Sequence, residues 1–218
     1  EYSTLLVPYG KRSFLTLRDG TKVWINSGTE VRFPVNMEGK ERSIYVDGEI
    51  YIEVAKDKER PFYVHTSGFD VRVYGTKFNV TSYKADKEKS VVLVEGSVSV
   101  CSKEETKEKE AKEIFLHPDQ MYHTTNRGPM ITHVNALQYI TWKDGIWQFT
   151  SESLESIALR LSRYYGVDIH CDEKTAVKSC TGKLILFDDV DKTLRIIEEI
   201  FGVRYETNQN EIIISMNP

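Results

Sequence analysis

The chain has 218 residues, 40% hydrophobic and 28% charged, which suits one large or two small globular domains with a buried core. Its net charge is −4, with acids and bases mixed along the chain. That argues against nucleic acid as the main partner, because phosphate binding needs a concentrated positive surface. No apolar run reaches the roughly 18 residues of a membrane span, and no signal peptide is recognisable. The first residue is Glu1 rather than Met, so the chain is expected to be a fragment of something longer. Three cysteines, Cys101, Cys171 and Cys180, form no CxxC pattern and leave the redox compartment open.

The first 125 or so residues alternate apolar and polar side chains, the period of half-buried strands. Three Asp-Gly pairs lie between apolar runs, and Asp-Gly tolerates the backbone of a two-residue hairpin turn. Asp19-Gly20 joins "SFLTL" to "TKVWIN", Asp47-Gly48 joins "RSIYV" to "EIYIEV", and Asp144-Gly145 joins "YITWK" to "IWQFT". Further strands are read in the opening stretch, "FYVHT", "FDVRVYGTKFNVTSY", "SVVLVEGSVSV" and "EIFLH". Within the third of these, Phe69, Val71 and Val73 are apolar at odd positions, but Phe78 and Val80 at even ones. The buried face therefore changes parity across Gly75, which requires a β-bulge or a corner between sheets. Many short strands and no helix predict an all-β domain over 1–134: a sandwich, a jelly roll or a short solenoid. The segment "KEETKEKEAKE" (103–113) is expected to be an exposed, mobile loop.

"TTNRGPM" (124–130) reads as the start of a linker, and the period then changes. "SLESIALRLSRYYG" places Leu154, Ile157, Ala158, Leu161 and Tyr164 on one helical face, with Ser151 or Ser153 as cap and Gly166 as stop. "VDKTLRIIEEIFG" does the same with Val190, Leu194, Ile197, Ile200 and Phe201, capped by Asp188 or Asp189 and stopped by Gly202. The two segments repeat at an offset of 36 residues, read off Gly166 and Gly202. Strand-like runs flank each helix and "EIIISM" closes the chain. Residues 135–218 are thus predicted to be a small α+β domain of two βαβ units, helices on a sheet.

The residues offer little chemistry. "YGTK" lacks the second glycine and following helix of a phosphate-binding loop. No GxSxG elbow occurs, and Cys101 has no histidine near it in sequence. "HPDQMYHTTN" partly fits a cupin metal motif through Pro118 and His123, but Gln120 replaces a glycine, Asn126 comes one residue early, and His65 stands alone. Three converging ligands are needed for a metal, so no metal, cofactor or catalytic residue is expected; His133 and His170 carry no cluster. Tyr139, Trp142, Trp147 and Phe149 fill the space between sheet and helix or between domains, or, in the functional reading of Trp142 and Trp147, anchor a partner. Cys171 and Cys180 end neighbouring strand candidates, and pairing of those strands would allow a disulfide between them.

The motifs together resemble the periplasmic part of a FecR-type anti-sigma factor, in the form common in Bacteroidetes. "LTLRDGTKVWINSGTEVRFP", "ERSIYVDGEIYIEVAKDKERPFYV", "VRVYGTKFNV", "VLVEGSVSV" and "IFLHPDQM" are similar to the FecR domain, although the family usually has Gly where Asp119 or Gln120 stands. Residues 135–218 resemble the paired C-terminal domain, itself similar to the short N-terminal domain of secretins and TonB-dependent transducers.

The resemblance implies a non-enzymatic, monomeric sensor on a single-pass inner-membrane protein. It would relay a signal from the signalling domain of an outer-membrane TonB-dependent transducer to an extracytoplasmic-function sigma factor. Sigma factor and membrane would be met only through segments this chain lacks. One physical route is strand addition at an edge formed by Ile212, Ile213 and Ile214. The alternatives are a cupin-like metalloenzyme or sugar-binding β-domain, and a secretin-like structural subunit. Gly75, Asp19, Gly20, Asp47 and Gly48 are assigned structural roles.

Overall fold

The computed structural model describes residues 1–103, 113–209 and 211–217. The Lys/Glu-rich segment 103–113 therefore falls, except for its two ends, outside the described residues. The chain divides into two units, Glu1–Val7 with Arg12–Ile140, and Pro8–Lys11 with Thr141–Pro218.

The strands of the first unit are β1 (Tyr2–Val7), β2 (Ser13–Thr16), β3 (Lys22–Ile25), β4 (Thr29–Pro34), β5 (Arg42–Glu53), β6 (Phe62–His65), β7 (Phe69–Val73), β8 (Lys77–Ser82), β9 (Ser90–Glu95), β10 (Val98–Ser102), β11 (Glu113–Leu116), β12 (Gln120–His123) and β13 (Met130–His133). They form one curled sheet whose halves share β5. One half runs β1-β4-β5-β6-β7-β10-β11 and the other β2-β3-β5-β8-β9-β12-β13. Alternate side chains of both halves point into a single core. Ile44, Val64, Val71 and Val100 come from the first half, and Val23, Ile50, Phe78 and Val91 from the second; all are fully buried. Each such side chain contributes about 1.5–3 kcal/mol relative to exposure.

β5 corrects one expectation. Asp47-Gly48 is no hairpin turn, because the strand runs unbroken through it. Residues Arg42–Tyr45 pair in parallel with β6 and Tyr45–Asp47 antiparallel with β4. From Gly48 to Glu53 the same strand pairs with β8, and from Ile50 with β3. The two apolar runs find partners on either side instead of each other, so the Asp-Gly becomes a bend between the halves. A Cβ at Gly48 would stand 2.2 Å from Thr29 Oγ1, which accepts a hydrogen bond from Glu49 N. Asp19-Gly20 does form the β2–β3 hairpin.

The second correction concerns Asp144-Gly145. "YITWK" is not a strand but part of a 3-10 helix, Ala136–Asp144. Asp119 Oδ1 accepts from Ala136 N and Asn135 Oδ1 from Leu137 N, which starts the helix in place of a strand. Asp119 itself holds φ +62°, the left-handed conformation that explains why a glycine suits this turn.

The second unit contains β14 (Ile146–Ser153), α1 (Leu154–Tyr165), β15 (Asp168–Cys171), a single-turn helix α2 (Glu173–Ala176), β16 (Ser179–Ile185), α3 (Val190–Phe201), β17 (Val203–Asn208) and β18 (Glu211–Met216). Ser153 Oγ accepts from Ser156 N at the start of α1, and Asp189 Oδ1 from Asp191 N at the start of α3. Gly166 and Gly202 close the two helices. The strands do not build one sheet: β14 pairs with β16, while β15, β18 and β17 form a second sheet in that order. The strands flanking each helix thus belong to different sheets. Leu154, Ile157, Ala158 and Leu161 of α1 and Leu194 and Ile197 of α3 join one core. Ile200, expected on the apolar face, is exposed, because it lies at the margin of the stripe through Leu194 and Ile197.

Candidate functional site

Two buried polar clusters occupy the first unit. Glu49, 3% exposed, accepts from Asn26 Nδ2 at 2.8 Å, Asn79 Nδ2 at 3.2 Å and Thr81 Oγ1 at 3.1 Å. This joins three of the sequence motifs, just after β3 and on β5 and β8, through one carboxylate whose two oxygens both accept from side chains. Such a group ties the strands together. In the second cluster Arg42 Nη1 meets Asp19 Oδ2 at 2.9 Å, with the two side chains 1% and 4% exposed. Arg42 also donates to Ala55 O and Arg60 O, and Asp19 accepts from Thr21 N and Oγ1. Asp19 is therefore both the turn residue and the buried counter-ion. Nearby, Tyr51 is pushed above the usual phenol range by burial and by its hydrogen bond to Glu53.

Gly75 lies between β7 and β8, where the chain leaves one half of the sheet and enters the other. A Cβ there would stand 2.8 Å from Lys56 Cα. The polar atoms of its "GTK" triplet are used internally: Thr76 Oγ1 donates to Ser97 O at 2.9 Å and Lys77 pairs with Glu95 at 2.7 Å. An open groove of about 350 Å³ beside it is lined by Lys56, Lys58, Arg72, Tyr74 and Phe115. Arg72 is already paired with Glu113 at 2.6 Å.

In the second unit the structure moves the expected docking edge. β18 is the middle strand of its sheet, paired in parallel with β15 and antiparallel with β17. Ile212 and Ile214 are buried in the core and Ile213 is half-buried on the opposite face. These residues cannot accept another strand, because both sides of their ladder are taken. The edges of this sheet are β15 and β17. Trp142 and Trp147 are buried, 4% and 5% exposed, and offer no surface anchor. Trp147 packs on Phe149, ring centroids 5.0 Å apart, beneath Arg160.

Cys171 and Cys180 are free thiols. Their strands do not pair, since β15 lies against β18 and β16 against β14. The strand pairing expected to bring them together does not occur. Burial, and then Asp172, Glu155 and Cys180, push the Cys171 thiol from 9.0 up to about 12; burial raises Cys180 as well.

The cupin reading finds no support in position. His65 Nδ1 meets Asp70 Oδ1 at 2.8 Å, and Lys103 meets the same carboxylate at 2.7 Å. Burial pulls Asp70 up, but these two partners outweigh it and hold its carboxyl below the usual range. Among the described residues neither His65 nor His123 belongs to a group of three ligand-type side chains. His170 does, together with Asp168 and Glu211. That grouping was invisible in the sequence, because the strand pairing that brings Glu211 beside Asp168 is long-range.

Two family models cover most of the chain: FecR protein over residues 3–99 and FecR, C-terminal over 146–214. The chain belongs to the FecR family of anti-sigma factors. Two crystal structures, each of a candidate anti-sigma factor from Parabacteroides distasonis ATCC 8503, are similar to it throughout. One matches with TM-score 0.90 and 25% identity over 100% of both chains. The other matches with TM-score 0.90 and 26% identity over 99% of this chain and 100% of its own. No curated protein matches the sequence. Among the described residues no helix is long and apolar enough to cross a membrane.

Proposed function

We propose that this FecR-family chain is the periplasmic, non-enzymatic sensor part of a single-pass anti-sigma factor. It relays a signal from the signalling domain of an outer-membrane TonB-dependent transducer to an extracytoplasmic-function sigma factor. The observation that carries the reading is the succession of the FecR and FecR C-terminal matches along one chain. In this reading the sigma factor is held by another segment of the longer protein, and this region works by protein recognition alone.

The sheet edge at β17 is the docking route we favour. It spans six residues against four in β15, and its outer positions carry Arg204 and Glu206. A strand added there gains main-chain hydrogen bonds, and alternate side chains set selectivity. The test is titration of the chain with the purified signalling domain of its transducer, using Glu206→Pro and Thr207→Pro. Neighbouring residues of an edge strand donate alternately inward and outward, so one of these variants removes only an outward donor. That variant, folded by circular dichroism, should lose binding. Two folded variants with unchanged binding would remove the β17 edge, and no binding by the unmodified chain would remove the relay itself.

A further inference from the structure

We propose that Asp168, His170 and Glu211 form a zinc(II) site on the outer face of the β15-β18-β17 sheet. The placement follows from strand geometry. Asp168 and His170 are two apart on β15, so they share a face, while Ile169 between them points into the core at 3% exposure. Glu211 is the register partner of Asp168 across the parallel pair, and Ile212 beside it is again a core residue. The buried isoleucines therefore fix the backbone of both strands from below, and the three ligand-type side chains emerge together above.

Their distances suit a metal. His170 Nε2 is 2.9 Å from Glu211 Oε1, and Nδ1 is 3.7 Å from Asp168 Oδ1. One ligand atom from each residue lies within 4.8 Å of the others. Zinc takes imidazole nitrogen and carboxylate oxygen at about 2.0–2.2 Å; the two carboxylates face different ring nitrogens, so the exposed Asp168 side chain swings toward the Glu211 side, or the ring turns, for all three to meet one ion. The charge balance points the same way. Two carboxylates flank one imidazole, and among the described residues no Lys or Arg pairs with either acid. A divalent cation offsets that excess, and the nitrogen ligand selects zinc over calcium or magnesium, which prefer oxygen alone. Three protein ligands leave a fourth position for water or a partner's side chain. Bound there, zinc clamps the edge strand β15 onto the central strand β18.

The experiment is calorimetric titration of the whole chain with zinc alone, calcium alone as control, and thermal melting with and without zinc. The expected result is saturable binding of one zinc per chain, a raised melting temperature, and no response to calcium. His170→Ala should weaken zinc by at least the ~10–100-fold that loss of an outer-shell partner costs at metal sites. Glu211→Gln and Asp168→Asn should each weaken it, and His133→Ala should not. Circular dichroism shows whether each variant is folded. Absence of saturable zinc binding, or binding that survives His170→Ala in the folded variant, overturns the proposal. Because the chain alone is titrated, the result is independent of transducer binding.

Discussion

Gly75 and Gly96 stand against each other: a Cβ on Gly96 would lie 3.3 Å from the Gly75 carbonyl oxygen and 3.2 Å from Thr76 Cα. Both hold positive φ, +144° and +101°. Gly75 carries the chain from β7 in one half of the sheet to β8 in the other, and Gly96 carries it back from β9 to β10. The two crossings are therefore adjacent, and Thr76 Oγ1 ties them by donating to Ser97 O. A side chain at either place meets the backbone of the other corner or of the segment after β5, while the required φ is one that only glycine adopts without strain.

Gly75→Val and Gly96→Val should each destabilise the first unit by about 2–5 kcal/mol, the sum of backbone strain and overpacking. Because the corners touch, the double variant should cost less than the sum of the two. Urea unfolding of the three variants measures this. Unchanged midpoints would mean that the corners are not constrained.

The buried pair makes a second prediction. Asp19→Ala leaves the Arg42 guanidinium without its counter-ion and should cost about 3–5 kcal/mol. Adding Arg42→Leu removes the orphaned charge, so the double variant should recover part of that loss. A double-mutant cycle in urea checks both, and strict additivity would show that the pair is not coupled.

Several of these features were legible from local pattern. The change of apolar parity between Val73 and Phe78 pointed to a change of buried face, and the chain does pass from one half of the sheet to the other there. The repeat linking Gly166 to Gly202 appears as two capped helices of equal length. What failed was pairing. Asp47-Gly48 has the chemistry of a hairpin turn, but β4, β6, β3 and β8 compete for the flanking runs and win. "EIIISM" has the look of an open edge, yet it inserts between β15 and β17. The meeting of Asn26, Glu49 and Asn79, and of Asp168, His170 and Glu211, likewise depends on strand order. Period and turn chemistry act over a few residues, whereas strand order is decided by which distant faces bury together.

The thiols supply a pH prediction. A thiol raised by folding favours the protonated form in the native state. Its contribution to stability is therefore present below the ordinary value of 9.0 and is lost as pH rises toward about 12, the position of Cys171. At pH 8 the native chain should react with iodoacetamide at Cys171 about two to three orders of magnitude more slowly than the unfolded chain, and at Cys180 more slowly as well, because the thiolate is the nucleophile. Peptide mapping after timed alkylation reads each site. Equal rates in native and unfolded chains would contradict the burial of these thiols.

The central place of β18 gives the last prediction. The single backbone N–H of Ile213 lies inside a sheet paired on both sides, so Ile213→Pro must break a ladder bond whichever way the amide points. Removing that bond and leaving its acceptor buried should cost about 2–4 kcal/mol. The loss belongs to the second unit, where Trp142 and Trp147 report, and tryptophan fluorescence in urea should register it as an earlier transition. The β17 proline variant that loses only an outward donor should keep its midpoint. If Ile213→Pro were as stable as the unmodified chain, β18 would be an edge after all, and the docking site would return to Ile212–Ile214.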